Sequence, residues 1–180
     1  MSAYPAVQHL IEGSPQSPVC VVIYEDLQCP DAAHFRLMLD EELLPRYADT
    51  VRFEHRDFPL AKHTWARRAA IAARFFEDNQ PGLGLAYRKY SMANQRGINL
   101  HNFNDRLSQF AQDHGVDPSK AVASLDDPRL AALVEEDFEE GVARGISRTP
   151  TVLVNGRAFV EKFPVEDVAK AIDADLAAAK

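Results

Sequence analysis

The stretch Y-E-D-L-Q-C-P-D-A-A-H-F, residues 24–35, decides how this chain is interpreted. It follows the β-branched run V-C-V-V-I-Y at 19–24, which predicts a strand buried on both faces. Beyond Cys29 the apolar residues recur at helical spacing, so a Cys-Pro pair stands where a strand passes into a helix. Such a junction indicates thiol–disulfide chemistry, which normally needs a second cysteine three residues on. That position is Ala32.

The start of a helix favours the reactive form of a cysteine. The first N–H groups of a helix have no intrahelical acceptor and the helix dipole is positive there, so an anionic thiolate at Cys29 is stabilised. Pro30 suits the first helical position, because its missing N–H is not needed there. Asp31 acts in the opposite sense, since a neighbouring carboxylate disfavours a second negative charge. The pattern predicts a nucleophilic thiol at Cys29.

Composition excludes several other classes of protein. The 180 residues are 46% hydrophobic, as in a globular chain that can bury a core. The net charge of −7 argues against nucleic acid and against a membrane surface as partners, because both favour basic patches. Two cysteines, Cys20 and Cys29, are too few for a disulfide scaffold and match no zinc-site spacing. The sequence predicts no metal site and no bound cofactor.

The N-terminus bears on localisation. It has neither the basic region nor the apolar run of a secretory signal, and no later stretch is long enough to span a membrane. The sequence as written predicts a cytoplasmic protein, or a periplasmic or secreted one if a signal has been trimmed from it.

Apolar patterns divide the first two thirds of the chain into segments. Residues 1–18, rich in proline and serine, are predicted to be an arm or loop. The helix that begins at Cys29 is predicted to end with the help of Pro45, and residues 50–58 alternate like a second strand. Residues 61–144 carry almost no strand signal and predict four or five helices. Two of these helices are predicted to begin at the N-cap residues Asp117 and Asp127, each followed by proline.

The strand pattern returns near the C-terminus. In T-V-L-V-N-G-R-A-F-V, residues 151–160, Asn155-Gly156 predicts a hairpin with a type I′ turn. An amphipathic helix follows from Val165. The predicted order is β-α-β, a helical block, a hairpin and a helix. This order divides the chain into one domain made of residues 1–60 and 145–180 and a helical insertion domain at 61–144.

Four motifs together resemble the DsbA-like branch of the thioredoxin superfamily, over nearly the whole chain. They are Y-E-D-L-Q-C-P-D-A, H-R-D-F-P-L at 55–60, G-I-S-R-T-P-T-V-L-V-N-G at 145–156, and E-G-S-P-Q-S-P-V-C-V-V-I-Y at 12–24. The resemblance implies an α/β chain with a thioredoxin-like fold and an inserted all-helical domain. It also implies a thiol–disulfide oxidoreductase whose partners are protein or peptide thiols and disulfides.

The resemblance also assigns the site. Cys29 is implied as the nucleophile, with Pro30 and Asp31 between it and the resolving position, Ala32. Thr149-Pro150 is implied as a cis-proline pair that faces the thiol and presents the backbone of Thr149 to an extended peptide.

Two positions depart from the family pattern. With Ala32, Cys29 can form a mixed disulfide but has no neighbouring thiol to resolve it, whether the alanine is natural or engineered. Cys20, in the preceding strand, is interpreted as a small buried apolar residue. The buried acid that many relatives carry six residues before the nucleophile is replaced by Ile23, and the nearby Glu25 and Asp26 are predicted to be solvated.

Other candidate chemistry is weaker. His34 should face away from Cys29, and His55 and His63, near the site, are interpreted as surface residues rather than as a Cys–His dyad. A helical acidic cluster is interpreted as a solvated face; it comprises Glu135, Glu136, Asp137, Glu139 and Glu140. Trp65, with two nearby phenylalanines, is interpreted as helical core rather than as a substrate groove.

Two alternatives stay open beside the oxidoreductase. The first is a monothiol enzyme for which glutathione is the co-substrate that resolves the mixed disulfide. The second is a non-catalytic peptide-binding module. The sequence sets neither the physiological substrate, nor the direction of exchange as oxidase, reductase or isomerase, nor the oligomeric state.

Overall fold

A five-stranded sheet forms the centre of the protein. The computed structural model describes residues 10–180. The strands are β1 (Leu10–Gly13), β2 (Cys20–Glu25), β3 (Arg52–Asp57), β4 (Thr151–Val154) and β5 (Arg157–Val160). Their order in the sheet is β1-β3-β2-β4-β5. β2 and β3 are parallel, and the other neighbouring pairs are antiparallel.

The arm predicted over residues 1–18 is partly a strand. Leu10 is buried and is paired with His55, so residues 10–13 add an edge strand to β3. The prediction of a loop was therefore wrong for β1, where the apolar Leu10-Ile11 pair is too short to give a periodic signal. The part of that prediction that falls on residues 1–9 lies outside the described residues.

The helix after the Cys-Pro pair continues through Pro45, contrary to the prediction. Helix α1 (Pro30–Met38) passes into a π-helical turn (Leu39–Leu43) and then into α2 (Leu44–Tyr47). The wider turn pairs Leu44 N–H with Leu39 O and leaves Pro45 in the first turn of α2, where a missing N–H costs little.

Helices fill the segment predicted to be helical. They are α3 (Ala66–Asn79), α4 (Leu83–Ala93), α5 (Phe103–Asp113), α6 (Pro118–Ala123) and α7 (Pro128–Ala143), with 3-10 turns at Gln95–Gly97 and Ser124–Asp126. The side chains of Asp117 and Asp127 accept hydrogen bonds from Ser119 N and Arg129 N, which confirms both predicted N-caps. Helix α8 (Val165–Ala178) completes the chain. The division into two domains stays a prediction.

Two apolar cores hold these layers. One lies between the sheet, α1 and α8; the other lies inside the helical block. Trp65 and Phe76 are fully buried in the second core, which confirms that these aromatic residues are structural. Across residues 10–180, no helix has both the length and the apolar character needed to cross a membrane.

Helix α7 lies unusually close to the end of the sheet. Gly141 permits this approach, because a Cβ atom there would be 2.7 Å from ring carbons of Phe58. The Phe58 ring also stacks on Phe138 of the same helix, with 4.6 Å between ring centroids. The hairpin between β4 and β5 turns at Asn155 (φ 42°) and Gly156 (φ 92°), as predicted for a type I′ turn.

Candidate active site

Cys29 caps the N-terminus of α1. Its backbone is extended, with φ −78° and ψ 123°, and Pro30 occupies the first helical position. The N–H of Cys29 donates to Asp26 O at 3.0 Å, which closes the turn between β2 and α1. The cysteine is only 6% exposed. The thiol therefore lies at the positive end of a helix in a largely desolvated position.

The loop before β4 lies directly against this sulfur. The Thr149–Pro150 peptide bond is cis. The Sγ–H of Cys29 donates to Thr149 O at 3.4 Å across a separation of 120 residues. Two of the four motifs quoted for the family resemblance, the one that contains Cys29 and the one that contains Thr149, therefore meet at a single site.

A cleft open to solvent lies beside Cys29, which forms part of its lining. The start of α1, the loop after β3, the loop before β4 and the end of β5 line it; the lining residues are Cys29, Pro30, Asp31, Leu60, Ala61, Lys62, His63, Ser147, Arg148, Thr149 and Glu161. Arg148 and Glu161 are paired at 2.8 Å. Charges of both signs therefore surround the cleft.

Neither Ala32 nor Cys20 gives Cys29 a second thiol. Ala32, at the resolving position, is fully buried. Cys20 is the first residue of β2, whereas Cys29 follows the last. At a rise of about 3.3 Å per residue, the two ends of this strand lie about 16 Å apart. Cys20 is only half-buried, whereas a buried apolar residue was predicted, and this partial burial raises the pKa of its thiol.

Asp26 organises the hydrogen bonds of the cysteine loop, the turn at residues 26–29 between β2 and α1. The prediction that its side chain is solvated was wrong. Its carboxylate accepts hydrogen bonds from Gln28 N, Leu60 N and His63 Nδ1, each at 2.7 Å. The side chain is fully buried. It joins the turn that carries Cys29 to the loop that follows β3.

Glu25 is also buried, against the same prediction. It accepts hydrogen bonds from Arg88 Nη2 of α4 at 2.8 Å and from His55 Nδ1 at 2.8 Å. Burial alone would raise the pKa of Glu25, but the positive charges of His55 and Arg88 lower it to about 2. His55 is therefore an internal residue rather than the surface histidine predicted.

This ion pair extends into a buried layer of charge between the sheet and the helices. Arg88 also contacts Asp57 at the end of β3. Arg74 of α3 donates to Asp57 at 2.8 Å and contacts Asp137 of α7. Asp137 is 1% exposed, so the acidic cluster on α7 is not uniformly solvated as predicted. Alternating charges thus join three helices to the carboxyl ends of β2 and β3.

Gln95 is a site residue that sequence reasoning missed. From the 3-10 turn after α4, its Nε2 donates to Leu27 O and to Cys29 O, both at 2.9 Å. Nothing in the polar run N-Q-R-G at 94–97 signals this contact. The helical block thereby contributes directly to the cysteine loop.

The remaining histidines near the site differ in position. His63 lines the cleft and is 15% exposed, whereas His34 is exposed on α1 and does not line it. Among residues 10–180, no group of three or more histidine, cysteine, aspartate or glutamate side chains is placed to hold a metal ion.

Solved structures similar to this one share its fold. BdbD of Bacillus subtilis is 20% identical with a TM-score of 0.83, over 93% of this chain and 92% of that one. α-DsbA1 of Wolbachia pipientis is 16% identical with a TM-score of 0.83, over 98% and 95%. DsbA of Chlamydia trachomatis is 14% identical with a TM-score of 0.77, over 95% and 93%.

Sequence relatives are longer proteins. The chain is 28% identical over 171 residues to a Na⁺/H⁺ antiporter NhaA of Herminiimonas arsenicoxydans and to NhaA 3 of Salinispora tropica. These matches cover 94% of this chain and 26% and 25% of the two relatives, so the chain spans about a quarter of their length.

A family model described as thioredoxin matches residues 6–174, which is nearly the whole chain. The chain therefore belongs to the thioredoxin family, in the DsbA-like form that carries a helical insertion.

Proposed function

We propose that this chain is a thiol–disulfide oxidoreductase of the DsbA-like kind and that Cys29 is its nucleophile. The observation that carries the proposal is the position of Sγ, at the N-terminus of α1 and against Thr149 O, at a cleft open to solvent. Similar structures include one described as the thiol-disulfide exchange protein α-DsbA2 from Wolbachia pipientis, 15% identical with a TM-score of 0.78.

The first step forms a mixed disulfide. The thiolate of Cys29 attacks one sulfur of a partner's disulfide, a new S–S bond forms, and the old S–S bond breaks with its electron pair going to the leaving sulfur. The N–H groups of the first turn of α1 stabilise the thiolate. Asp31 at the cleft opposes this effect with its negative charge.

Thr149 and Pro150 hold the partner chain in this proposal. An extended peptide pairs with the backbone at Thr149, as strands add to an exposed edge. Because Thr149 O lies 3.4 Å from Sγ, a peptide bound there brings its own disulfide to the nucleophile.

Release of the partner needs a thiol from outside the chain. Ala32 has no sulfur, and Cys20 lies at the other end of β2. We infer that a small thiol such as glutathione is the co-substrate. Its thiolate attacks the Cys29 sulfur of the mixed disulfide, a disulfide between Cys29 and glutathione forms, and the partner leaves as a thiolate that takes up a proton. A second glutathione then attacks this disulfide, so that oxidised glutathione leaves and the Cys29 thiolate is restored.

The test of the first step is covalent capture. The protein is incubated at neutral pH with a peptide that contains one disulfide, and the product is measured by intact mass and peptide mapping. We expect one adduct per chain, on Cys29, which is absent in Cys29→Ser and present in the matched control Cys20→Ser. An unmodified Cys29 would refute the oxidoreductase. If Cys29→Ser binds the peptide as tightly as the unchanged protein and neither forms an adduct, the chain is a peptide-binding module.

The test of release is a glutathione-coupled assay. With glutathione, glutathione reductase and NADPH present, we expect repeated turnover of the peptide disulfide, whereas without glutathione the reaction stops after one equivalent. A reaction that still stops at one equivalent with glutathione present would contradict the proposed co-substrate.

A further inference from the structure

We propose that His63, oriented by Asp26, donates a proton to the thiolate that leaves when Cys29 attacks a disulfide. The inference rests on the proposed oxidoreductase function and assigns a proton donor to its first step. His63 lines the same cleft as Cys29, and its Nδ1–H donates to Asp26 Oδ2 at 2.7 Å.

Asp26 holds the histidine and the cysteine through two different groups. Its backbone oxygen accepts from Cys29 N–H at 3.0 Å, and its carboxylate accepts from the His63 ring. The same carboxylate accepts from Leu60 N at 2.7 Å, and His63 N donates to Leu60 O at 3.0 Å. Asp26 therefore fixes the His63 ring relative to Cys29, because its carboxylate holds the ring and its backbone oxygen holds the cysteine.

The arrangement leaves the other ring nitrogen available. The Asp26 carboxylate is fully buried and engages Nδ1, so it selects the ring orientation as a carboxylate does for a metal-bound or catalytic histidine. Within the described part of the chain, residues 10–180, Nε2 of His63 has no hydrogen-bond partner. The side chain is 15% exposed and lines the cleft, so a bound substrate can reach the imidazole ring.

The chemistry of the step calls for such a proton. A cysteine thiol with an ordinary pKa of about 8.5 leaves slowly as a thiolate at neutral pH, because the leaving rate falls as the thiol becomes less acidic. An imidazolium can supply a proton in this pH range. The balanced step converts Cys29 thiolate, the disulfide and the protonated His63 into a mixed disulfide, a free thiol and a neutral His63.

No other group in the cleft is as well suited to this transfer. The remaining titratable and charged side chains there are Asp31, Lys62, Arg148 and Glu161, and Arg148 is paired with Glu161. Ammonium and guanidinium groups are much weaker acids than an imidazolium, and a carboxylate has no proton to give. The sequence has no second cysteine near Cys29 that could supply the proton.

The test compares leaving groups. We expect His63→Gln to slow mixed-disulfide formation about tenfold or more with a peptide alkyl disulfide, whose leaving thiol needs a proton. With an aromatic disulfide whose thiol is strongly acidic, the rate should change less than about twofold, because no proton is needed. His101→Gln, at an exposed position outside the cleft, is the matched control and should leave both rates unchanged.

A second variant separates chemistry from structure. In His63→Ala, added imidazole should restore the rate with the alkyl disulfide. Equal slowing with both disulfides, with no rescue by imidazole, would show that His63 only holds the loop and would overturn the inference. If the unchanged protein captures neither disulfide, the proposed function fails and the proton donor fails with it. If it captures both, and His63→Gln does so at the same rates, the inference alone fails.

Discussion

Arg88 is the buried cation on which two carboxylates of the sheet depend, and its replacement by methionine should strongly destabilise the protein. Its guanidinium donates to Glu25 Oε1 at 2.8 and 3.0 Å and contacts Asp57. Methionine fills much of the same space without charge, so both carboxylates would lose a cation while staying out of water. Removing one partner of a buried ion pair costs about 3–5 kcal/mol.

The pKa shift of Glu25 leads to a destabilisation of similar size. Burial would raise its pKa, yet His55 and Arg88 lower it from 4.5 to about 2. At about 1.36 kcal/mol per pKa unit, that difference is worth about 3 kcal/mol, of which Arg88 supplies a part. With the loss at Asp57 added, we expect Arg88→Met to reduce the free energy of unfolding by about 4 kcal/mol. At about 2–4 °C per kcal/mol, Tm should fall by about 8–16 °C.

The free energy of unfolding that Arg88→Met loses should also depend on pH. Because the pKa of Glu25 is lower in the folded chain than in the unfolded one, its contribution is present above pH 4.5 and is lost as pH falls toward about 2. The difference between Arg88→Met and the unchanged protein should therefore be largest near neutral pH and should shrink below about pH 4.5.

Urea unfolding followed by the fluorescence of Trp65, the only tryptophan, measures these free energies. Arg88→Lys keeps the charge and should lose less than Arg88→Met. The matched control is Arg67→Met, which removes an exposed contact with Glu135 and should cost under about 0.5 kcal/mol. If Arg88→Met costs no more than Arg67→Met, or if its deficit is the same at pH 4 and pH 7, the reasoning is refuted.

Four further changes test other parts of the structure. Without glutathione, Ala32→Cys should convert stable capture into release: one equivalent of peptide leaves as the dithiol while positions 29 and 32 form an internal disulfide, and a mixed disulfide that persists as in the unchanged protein would contradict a two-cysteine framework. Gly141→Ala should lower stability by about 1–3 kcal/mol in thermal unfolding, because the new Cβ would lie 2.7 Å from the ring of Phe58; a higher Tm would show that α7 has room to move. Asp127→Ala should cost about 1 kcal/mol in urea unfolding through the lost N-cap bond, and no loss would mean that the cap is replaced by water. His55 lies between the carboxylates of Glu25 and Glu12, with its Nε2 2.8 Å from Glu12 Oε1; although burial alone would lower the pKa of His55, these carboxylates raise it. The stability that the charged His55 contributes is therefore full below pH 6.5 and is lost as pH rises through the folded pKa. The fall in unfolding free energy above pH 6.5 should be weaker in His55→Gln, and an equal dependence on pH in the two proteins would contradict the assignment.

Local chemistry made much of the fold predictable. Asn155-Gly156 requires positive φ at both turn residues, and few other sequences supply it, so the hairpin could be located to the residue. Asp127 before a proline fixed the start of α7 in the same way. Pro45 was misjudged because a π-helical turn, which has no sequence signature, shifts the hydrogen-bond pattern ahead of it.

Burial of charge could not be predicted from local sequence. Glu25 and Asp26 follow a strand and look like solvent-facing polar residues, but their partners lie far along the chain. Arg88 is 63 residues from Glu25, and His63 is 37 residues from Asp26. A carboxylate is hydrated unless a cation or a set of N–H groups meets it inside the protein, and those partners are brought in by tertiary structure.

The contact between Cys29 and Thr149 has the same origin. No periodicity relates residues 120 positions apart, and only the family resemblance placed them together before the structure did. Gln95 had neither kind of signal, since glutamine in a polar turn is ordinarily solvated.

The two hydrogen bonds from Gln95 bear on how this cysteine loop could be transplanted. The carbonyls of Leu27 and Cys29 receive their donor from a turn that belongs to the helical block, not to the sheet that carries the loop. A minimal thioredoxin scaffold given only residues 24–35 would leave both carbonyl oxygens without that amide donor. A graft would therefore have to include the turn after α4, and a substitution that shifts α4 would disturb the backbone that positions the sulfur of Cys29.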